Sequence, residues 1–448
     1  MREPNILLDA ILSEAGMSHE GLAARVNQLG QRDGLGLLYD HASVRRWIRD
    51  GTIPRGKVPE LICEALTTRL PRRVVLSDIG MERNEGGDGT PLAAAVDRAA
   101  AMWRNDRRSE DQPDARPVEG PPAVMPVFEW ENPPDDLDVG RLDGLSRVDQ
   151  GQVEILRAAR SRYEQMYRAV GGIPVRPRLT AFLDSQAAPL IKGSYDDRTG
   201  RQLHRAVGGL AALAGICAYD ADRQGTAQRY FFQALRMAKA SGERGFGGYV
   251  IALLANQAMC RGLYRQVIQY TETALRGAAG DLSPALIMDL STLQARAYAR
   301  MGDRAGCHAS MGRADEMAAR IRPSEEPAET GYVQPGLLHV QHAEALRSLG
   351  DLSAAYAHAE QAVAAPGTHQ RGRVHRLATL ATILAGQGNV EQAADIGNVM
   401  LNLAEGMESR RITDRISGVR SAVCAVSDGT AARELSERVG DILGIPLL

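Results

Sequence analysis

The sequence predicts an all-α protein with an N-terminal helix-turn-helix domain (residues 1–81), a linker with one short helix (82–144) and a C-terminal tetratricopeptide-like helical solenoid (145–448). Small residues and a phenylalanine recur at helical spacing from Leu210 to Ala234, as expected where two antiparallel helices pack closely. The pattern recurs along the chain. Its aligned positions are Ala234, Ala274, Ala314, Ala362 and Met400. We therefore expect about five helical hairpins.

Glycines mark the expected turns between the two helices of a hairpin. Four of them follow the predicted first helices: Gly262, Gly302, Gly350 and Gly388. Glycine readily adopts the left-handed backbone conformation that ends a helix, and Asp or Asn follows three of these glycines. Within the first hairpin, the close-packing positions are Ala211, Gly215, Ala218, Ala227, Phe231 and Ala234.

Composition limits the classes of partner and compartment. The net charge of the 448 residues is −2, so the overall charge indicates neither nucleic acid nor a membrane as a partner. The five cysteines are isolated, and no apolar run reaches the roughly 20 residues that span a bilayer. We therefore expect a reduced, cytoplasmic protein with no secretory leader and no membrane association.

A short basic helix is predicted within residues 39–51. Val44, Trp47 and Ile48 form an apolar stripe along one side, and small residues and arginines occupy the other. Residues 41–73 contain eight basic and three acidic side chains, a local basic patch that the overall charge conceals. This design is typical of a recognition helix, whose side chains enter the major groove of DNA.

The predicted DNA-binding residues are Ala42, Ser43, Arg45, Arg46, Arg49, Arg55 and Lys57. We expect Arg46 and Ser43 to read bases, since arginine can bridge two acceptors of guanine and a small side chain can approach base edges. The remaining cations are expected to hold phosphates. A second interpretation stays open here, in which an amphipathic helix lies in solvent and its arginines pair with nearby carboxylates.

Residues 51–57 match the GxxxxGK spacing of a phosphate-binding loop. Val58 follows, however, where such a loop has the Ser or Thr that binds magnesium, and a charged helix precedes the segment instead of a buried strand. We therefore predict no nucleotide site. Gly51 is expected to end the basic helix and Pro54 to start the next segment.

The linker is predicted to be a flexible tether. Residues 109–138 are rich in proline and acidic side chains, a composition that cannot bury enough apolar surface to order a chain. Phe128 and Trp130 are the side chains that would anchor it against the solenoid if it were ordered.

Counting from the close-packing positions predicts which side chains face the concave surface of the solenoid. They are Tyr219, Tyr249, Asn256, Asp289, Thr292, Arg296, Arg300, Glu344, Arg347, His375 and Thr382. The candidate effector-binding residues among them are Tyr219, Tyr249, Asn256, Arg296, Arg300, Glu344 and Arg347. Aromatic, amide and charged side chains in a concavity can hold a peptide or small molecule. The alternative is a hydrated polar surface without a ligand.

No motif indicates catalysis. The sequence lacks HExxH, GxSxG and any Cys/His arrangement with an obvious base. His339 and His342 lie three residues apart on a predicted helix, but no third metal ligand accompanies them. We therefore predict no enzymatic activity, no metal and no cofactor.

The chain resembles actinobacterial, mainly streptomycete, transcription regulators that join an Xre-type helix-turn-helix to a tetratricopeptide-like domain, a family that regulates sporulation and antibiotic production. The motifs that carry the resemblance are YDHASVRRWIRDGTIPRG (39–56), VPELICEALTTRL (58–70), Gly171-Gly172, GSYDDRTGRQL (193–203), AQRYFFQALRMA (227–238) and GGYVIA (247–252). The resemblance implies DNA contact by Ser43, Arg45 and Arg46, and either repression or activation. The two-module architecture is also similar to that of peptide-pheromone regulators of Gram-positive bacteria.

Three hypotheses follow. The first is a sequence-specific regulator of development or secondary metabolism that binds double-stranded DNA as a homodimer, with a solenoid that self-associates and takes a peptide or small-molecule effector. The second is a tetratricopeptide adaptor that acts through protein contacts. The third is an effector-controlled sensor with vestigial DNA contact.

Overall fold

The computed structural model describes residues 4–32, 35–54, 57–70, 72, 74–76, 78–81, 92–108, 114–141, 144, 146–366 and 369–443. The chain divides into two compact units, Met1–Gly89 and Thr90–Leu448. In the described residues the regular structure is helical, apart from two isolated β bridges near residues 141–147 and 194–195. The predicted all-α fold is therefore confirmed. None of the described helices is both long and apolar enough to cross a membrane.

The N-terminal unit contains four helices in its described residues: α1 (Ile6–Glu14), α2 (His19–Arg32), α3 (His41–Arg49) and α4 (Val58–Thr67). Their apolar faces form one core, in which the large buried side chains include Leu8, Leu22, Trp47, Ile62 and Leu66. Asn5 ties the start of α1 to the end of α3, since its backbone N–H donates to the carbonyl of Ile48 at 2.7 Å.

The second unit begins with helices that precede the hairpins. They are α5 (Leu92–Arg108), α6 (Pro121–Glu131), α7 (Gln150–Val170), α8 (Arg176–Phe182) and α9 (Ala188–Ile191). A turn of π-helix, Leu183–Ala187, joins α8 to α9.

Six helical hairpins follow in the described part of the chain. They are α10 (Asp197–Asp220) with α11 (Gln224–Ser241), α12 (Arg244–Cys260) with α13 (Tyr264–Gly277), α14 (Pro284–Arg300) with α15 (Arg304–Ala318), α16 (Leu337–Ser348) with α17 (Leu352–Ala364), α18 (Gln370–Gly386) with α19 (Val390–Ala404), and α20 (Arg410–Cys424) with α21 (Thr430–Leu443). The sequence predicted about five. The sixth is α20–α21. Its Gly429 directly precedes α21 and has no positive φ, unlike the four glycines that marked the predicted turns.

The predicted close packing and turns are confirmed. In the first hairpin, a Cβ added to Gly215 would lie 2.5 Å from Cε1 of Phe231, so this position has no room for a side chain. The turn glycines Gly262, Gly302, Gly350 and Gly388 have φ between 74° and 83°, the left-handed region that glycine tolerates without strain. The first hairpin turns through Asp222 instead, with φ 59°.

The linker differs from the flexible tether that its composition predicted. Helix α5 packs against α8 and α11, and α6 packs against α11 and α13, the second helices of the first two hairpins. Trp130 is buried against Gly247, where an added Cβ would lie 2.1 Å from its indole nitrogen. The Asp114 carboxylate accepts from the backbone N–H groups of Gly225 (2.7 Å) and Thr226 (3.1 Å), at the positive N-terminus of α11.

Solenoid cations hold the acidic part of this linker. Arg236 binds the Asp136 carboxylate with both terminal nitrogens, at 2.6 and 2.8 Å, and Lys239 donates to the backbone carbonyl of Asn132 at 2.7 Å. The acidic side chains and prolines thus find partners in another part of the chain. The composition of the linker alone does not contain this information, which is why the prediction was wrong for its described residues.

A buried polar cluster joins the first hairpin to the last two. The Asp220 carboxylate, at the end of α10, accepts from Arg371 of α18, from Oγ of Ser409 (2.7 Å) and from the backbone N–H of Gly172 (2.7 Å). Its side chain is 0% exposed. Because the two ends of the repeat array meet here, the hairpins enclose their concave face instead of leaving it as an open groove.

The Gly171-Gly172 pair permits this close approach. A Cβ on Gly171 would lie 2.3 Å from the backbone oxygen of Glu408, and one on Gly172 would lie 2.7 Å from the carbonyl oxygen of Cys217. The pair follows α7 directly, so the same two glycines end α7 and bring it against the first and sixth hairpins.

We expect Asp220→Ala to lower the free energy of unfolding by about 3–5 kcal/mol, because Arg371 would keep a buried charge without its carboxylate. Urea denaturation followed by circular dichroism measures the loss. Asp414→Ala is the matched control, since Asp414 pairs with Arg410 at 3.5 Å on the exposed surface of α20 and such pairs contribute less than about 1 kcal/mol. Equal losses in the two variants would contradict the role given to Asp220.

Candidate functional site

The start of α3 is fixed by a side-chain cap. Asp40 is the N-cap, and its carboxylate accepts from the backbone N–H and from the hydroxyl of Ser43, both at 2.8 Å. These two hydrogen bonds lower the pKa of Asp40 below its ordinary value. Asp40 therefore stays ionised, and its negative charge also interacts favourably with the dipole at the N-terminus of α3.

The long connection between α2 and α3 is held by one amide. Asn27 of α2 donates to the carbonyl of Tyr39 at 2.8 Å and accepts from the N–H of Tyr39 at 2.9 Å. The Tyr39 ring then packs edge-on against Trp47 of α3, with centroids 5.1 Å apart. Sequence analysis did not identify Asn27, because its partner is the backbone of a residue twelve positions away. These contacts orient α3 on the rest of the unit.

The predicted apolar stripe of α3 is buried. Val44, Trp47 and Ile48 are at most 9% exposed, so the opposite side of the helix faces solvent. This exposed side carries Ala42, Arg45, Arg46 and Arg49.

The arginines of this face have no carboxylate partner within the described part of the chain. Arg45 and Arg49 form no hydrogen bond or ion pair there, and Arg46 reaches only the hydroxyl of Ser43, at 3.5 Å. Two other arginines of the unit do pair with carboxylates, Arg32 with Glu64 at 2.8 Å and Arg72 with Glu14 at 3.2 Å. The interpretation in which the arginines of α3 pair with nearby carboxylates is therefore not supported by this arrangement.

Ser43 lies in a different environment from the one expected of a base-reading residue. Its side chain is buried at 7% exposure, and its hydroxyl is already bound to Asp40. In the structure it donates to the Asp40 cap and contacts Arg46. Arg55 lies outside the described residues. Lys57 is exposed and directly precedes α4.

The concave face of the solenoid encloses a cavity of about 300 Å³. The first helices of all six hairpins line it, together with α7 and a short 3₁₀ segment, Ala328–Tyr332. Of the seven candidate effector-binding residues, five line this cavity: Tyr219, Tyr249, Asn256, Arg296 and Glu344.

The other predicted concave positions divide between lining and non-lining residues. Asp289 and His375 also line the cavity. Arg300, Arg347, Thr292 and Thr382 do not. Arg300 is exposed at the C-terminal end of α14, beyond the enclosed region.

Several lining residues were missed by the sequence analysis. Arg411 and Arg415 belong to the sixth hairpin, Tyr167 belongs to α7, and Tyr332 belongs to the 3₁₀ segment. Repeat counting could have found the first two only by recognising the sixth hairpin. The other two lie outside the repeats, so no repeat pattern could have assigned them to the cavity.

Glu344 is a charged centre of the cavity wall. Its two oxygens bind Arg296 at 2.7 Å and Arg415 at 2.5 Å. Burial alone would raise the pKa of Glu344, but these two guanidinium groups lower it below its ordinary range. The carboxylate is therefore ionised at neutral pH and its charge is fully compensated.

Tyrosines form the aromatic part of the wall. The Tyr332 hydroxyl donates to the Asp289 carboxylate at 2.7 Å, and burial raises the pKa of Asp289. The ring centroids of Tyr249 and Tyr332 lie 6.3 Å apart. Burial raises the pKa of the Tyr167 hydroxyl to about 12. These tyrosines remain neutral hydrogen-bonding groups at physiological pH.

The histidines considered as metal ligands belong to a small cluster. His339 Nδ1 lies 3.2 Å from His358 Nδ1, and His342 is 0% exposed with both ring nitrogens lacking a hydrogen-bond partner. The nearest carboxylate oxygen to His342 belongs to Asp315, at 3.7 Å. Within the described residues, no group of three or more His, Cys, Asp or Glu side chains is arranged to hold a metal ion.

Comparison with known proteins bears on the N-terminal unit. A family model described as the SP15 N-terminal domain matches residues 8–82. The match spans α1 to α4 and none of the solenoid, and its description names no activity. A search of curated proteins found no match to the chain.

The histidine cluster predicts a pH dependence. Burial, followed by His358 and His339, lowers the pKa of His342 to about 3, from 6.5 in the unfolded chain. As the pH falls, His342 is protonated in the unfolded chain before it is protonated in the folded chain. The contribution of neutral His342 to the free energy of unfolding is therefore complete above pH 6.5 and is lost as the pH falls towards 3. We expect His342→Leu to reduce the loss in unfolding free energy between pH 7 and pH 5 by about 2 kcal/mol.

Urea denaturation at the two pH values measures this difference. His308→Leu, at an exposed position of α15, is the control and should leave the pH dependence of the wild type intact. If His342→Leu and the wild type lost the same free energy, His342 would not be buried in the neutral form.

Proposed function

We propose that the protein is a DNA-binding transcriptional regulator whose α3 enters the major groove. The observation that carries the proposal is the exposed face of α3, where Arg45, Arg46 and Arg49 have no carboxylate partner in the described residues. A cation without an intramolecular partner is available to a phosphate or a base edge. The buried stripe and the Asp40 cap hold the helix rigid, so that its side chains keep a fixed register on the duplex.

The roles of the individual residues follow from their positions. Arg46 reads a base, since arginine donates two hydrogen bonds to O6 and N7 of guanine. Arg45 and Arg49 hold DNA phosphates on either side of that base. Arg55 and Lys57 also contact the DNA backbone, and Lys57 directly precedes α4. Ser43 positions Arg46 instead of reading a base itself, because its hydroxyl is already engaged with Asp40.

The solenoid has two roles in this proposal. It brings two copies together as a homodimer, so that two recognition helices reach half-sites about 34 Å apart, one turn of the duplex. Its enclosed cavity receives an effector. The resemblance to streptomycete regulators supports a cytoplasmic protein that acts on development or secondary metabolism. The adaptor hypothesis requires the chain to act without DNA, and the experiments below distinguish it.

The direct test is to select bound fragments from the source genome with the purified full-length chain. Arg45→Ala/Arg46→Ala should abolish specific retention without changing the far-ultraviolet circular dichroism. If the folded wild type retained no fragment at any salt concentration between 50 and 200 mM, the regulator proposal would be wrong and the adaptor function would take its place.

Single substitutions should separate base reading from phosphate contact. We expect Arg46→Ala to weaken binding to the selected duplex by about 1–3 kcal/mol and to relax preference at one base position, whereas Lys57→Ala should weaken all sequences alike. Fluorescence anisotropy with specific and random duplexes measures both effects.

Arg72→Ala is the charge-matched control. Its guanidinium is already paired with Glu14 at 3.2 Å and Asp78 at 3.1 Å, so we expect little change in DNA affinity. An equal loss on specific and random duplexes for both Arg46→Ala and Lys57→Ala would refute the division of roles.

A further inference from the structure

The cavity of the solenoid carries an excess of positive charge. Seven arginines and three carboxylates are among its lining residues. Clustering cations in a partly desolvated space is costly unless anions compensate them. The distribution of partners among these arginines therefore shows where an anion is missing.

Six of the seven arginines have partners inside the protein. Arg160 and Arg168 pair with Glu164, Arg296 and Arg415 pair with Glu344, Arg371 pairs with Asp220, and Arg376 donates to the backbone carbonyls of Ala362 and Pro335. Each of these charges is compensated or hydrogen-bonded. They form the permanent wall of the cavity.

Arg411 is the exception. It makes no hydrogen bond and no ion pair with any described residue, and its guanidinium lies over the ring of Tyr219, 4.6 Å from the centroid. The nearby Asp220 carboxylate is occupied by Arg371, Ser409 and Gly172. Arg411 is thus held in place by an aromatic ring while its donors remain available.

His375 is an uncharged polar group that also lines the cavity. Burial lowers the pKa of His375 well below its ordinary value, and Arg415, Arg371 and Arg411 lower it further. The imidazole is therefore neutral, and His375 adds no charge to the cavity. Its side chain makes no hydrogen bond with the described residues, which leaves a second polar group facing the cavity.

Part of the cavity lining is apolar. Leu213, Ile216, Leu253 and Leu293 line it, with the rings of Tyr219 and Tyr249 beside them. A volume of about 300 Å³ lies at the lower end of the range for small-molecule sites. An open cleft of about 910 Å³ shares Arg160, Glu164, Arg168 and His369 with the cavity, which gives a route from solvent.

We propose that this cavity binds a small organic monocarboxylate with an aromatic or aliphatic body, whose carboxylate accepts hydrogen bonds from Arg411. Among the lining arginines, only Arg411 has no hydrogen-bond or ion-pair partner in the described residues, so we assign it the ligand's single carboxylate. The leucines and tyrosines cover its apolar body. The inference that the ligand is an effector of DNA binding rests on the proposed function. The inference that the cavity binds the ligand does not depend on DNA.

The site also explains how a ligand would act on the fold. Tyr219 directly precedes Asp220, and Arg411 follows Ser409 by two residues. The carboxylate would therefore bind beside the cluster that joins the first hairpin to the sixth. A ligand that binds the closed form alone stabilises it by mass action.

The experiment uses the full-length protein and five probe acids: benzoate, phenylacetate, 4-hydroxybenzoate, indole-3-acetate and octanoate. Each is compared with its neutral amide by thermal denaturation and isothermal titration calorimetry at pH 7.5. We expect at least one carboxylate to raise the melting temperature in a concentration-dependent manner and to bind with a Kd below 1 mM, while its amide binds at least about tenfold more weakly.

Two variants test the site. Arg411→Gln should weaken the carboxylate on the order of tenfold or more while leaving the amide unchanged. Ile216→Trp fills the apolar side without changing the charge and should abolish binding of both. Arg300→Gln removes a cation from an exposed position outside the cavity and should bind like the wild type. If Arg411→Gln bound the carboxylate as tightly as the wild type, the assignment of Arg411 as the carboxylate-binding residue would be wrong.

The outcomes remain separate from those of the DNA experiments. If none of the five acids bound more tightly than its amide, the cavity inference would be wrong even if DNA binding were found. If an acid bound through Arg411 and no DNA fragment were retained with or without it, the ligand site would stand and the regulator proposal would fail.

Discussion

The buried carboxylate of Asp220 is the contact on which the closed solenoid depends. Stacked hairpins contact mainly their neighbours, so such an array has no general reason to close on itself. Asp220 supplies that reason, because its oxygens accept from the fifth hairpin, from Ser409 before the sixth and from the loop after α7. Closure turns an open concave surface into an enclosed cavity. It also places α7, which is not a repeat helix, in the cavity wall.

The same closure gives the cavity its chemistry. The cavity-lining arginines of α7, α18 and α20 face the same space as the tyrosines of the first two hairpins, and all of them except Arg411 have a partner among the described residues. Arg411 has no carboxylate partner among the described residues, and it lies beside the contact that holds the array closed. In the N-terminal unit the situation is comparable, since α3 presents arginines that the described residues do not neutralise. Uncompensated cations on rigid elements are the common feature of both proposed sites.

Sequence patterns predicted the parts of the fold that depend on local spacing. The apolar stripe of α3, the glycine turns and the close packing of Gly215 on Phe231 all follow from residues within one or two helices. The sixth hairpin, the ordered linker and the cap formed by Asp40 and Ser43 were not predicted. The linker and Asp220 depend on partners about 50 to 190 positions away, and repeat counting contains no information about such pairs. Five of seven candidate cavity residues were found because the repeat register fixes which side chains face inward.

The central claim is that α3 binds DNA through Arg45, Arg46 and Arg49, which have no carboxylate partner in the described residues. The salt dependence of affinity for a selected duplex tests it most directly, because each phosphate contact releases condensed counterions. With Arg45, Arg49, Arg55 and Lys57 on phosphates, the logarithm of the association constant should fall with the logarithm of salt concentration with a slope of about −3 to −4 for each protomer. Binding that did not change between 50 and 200 mM salt, or no binding at 50 mM, would contradict the claim.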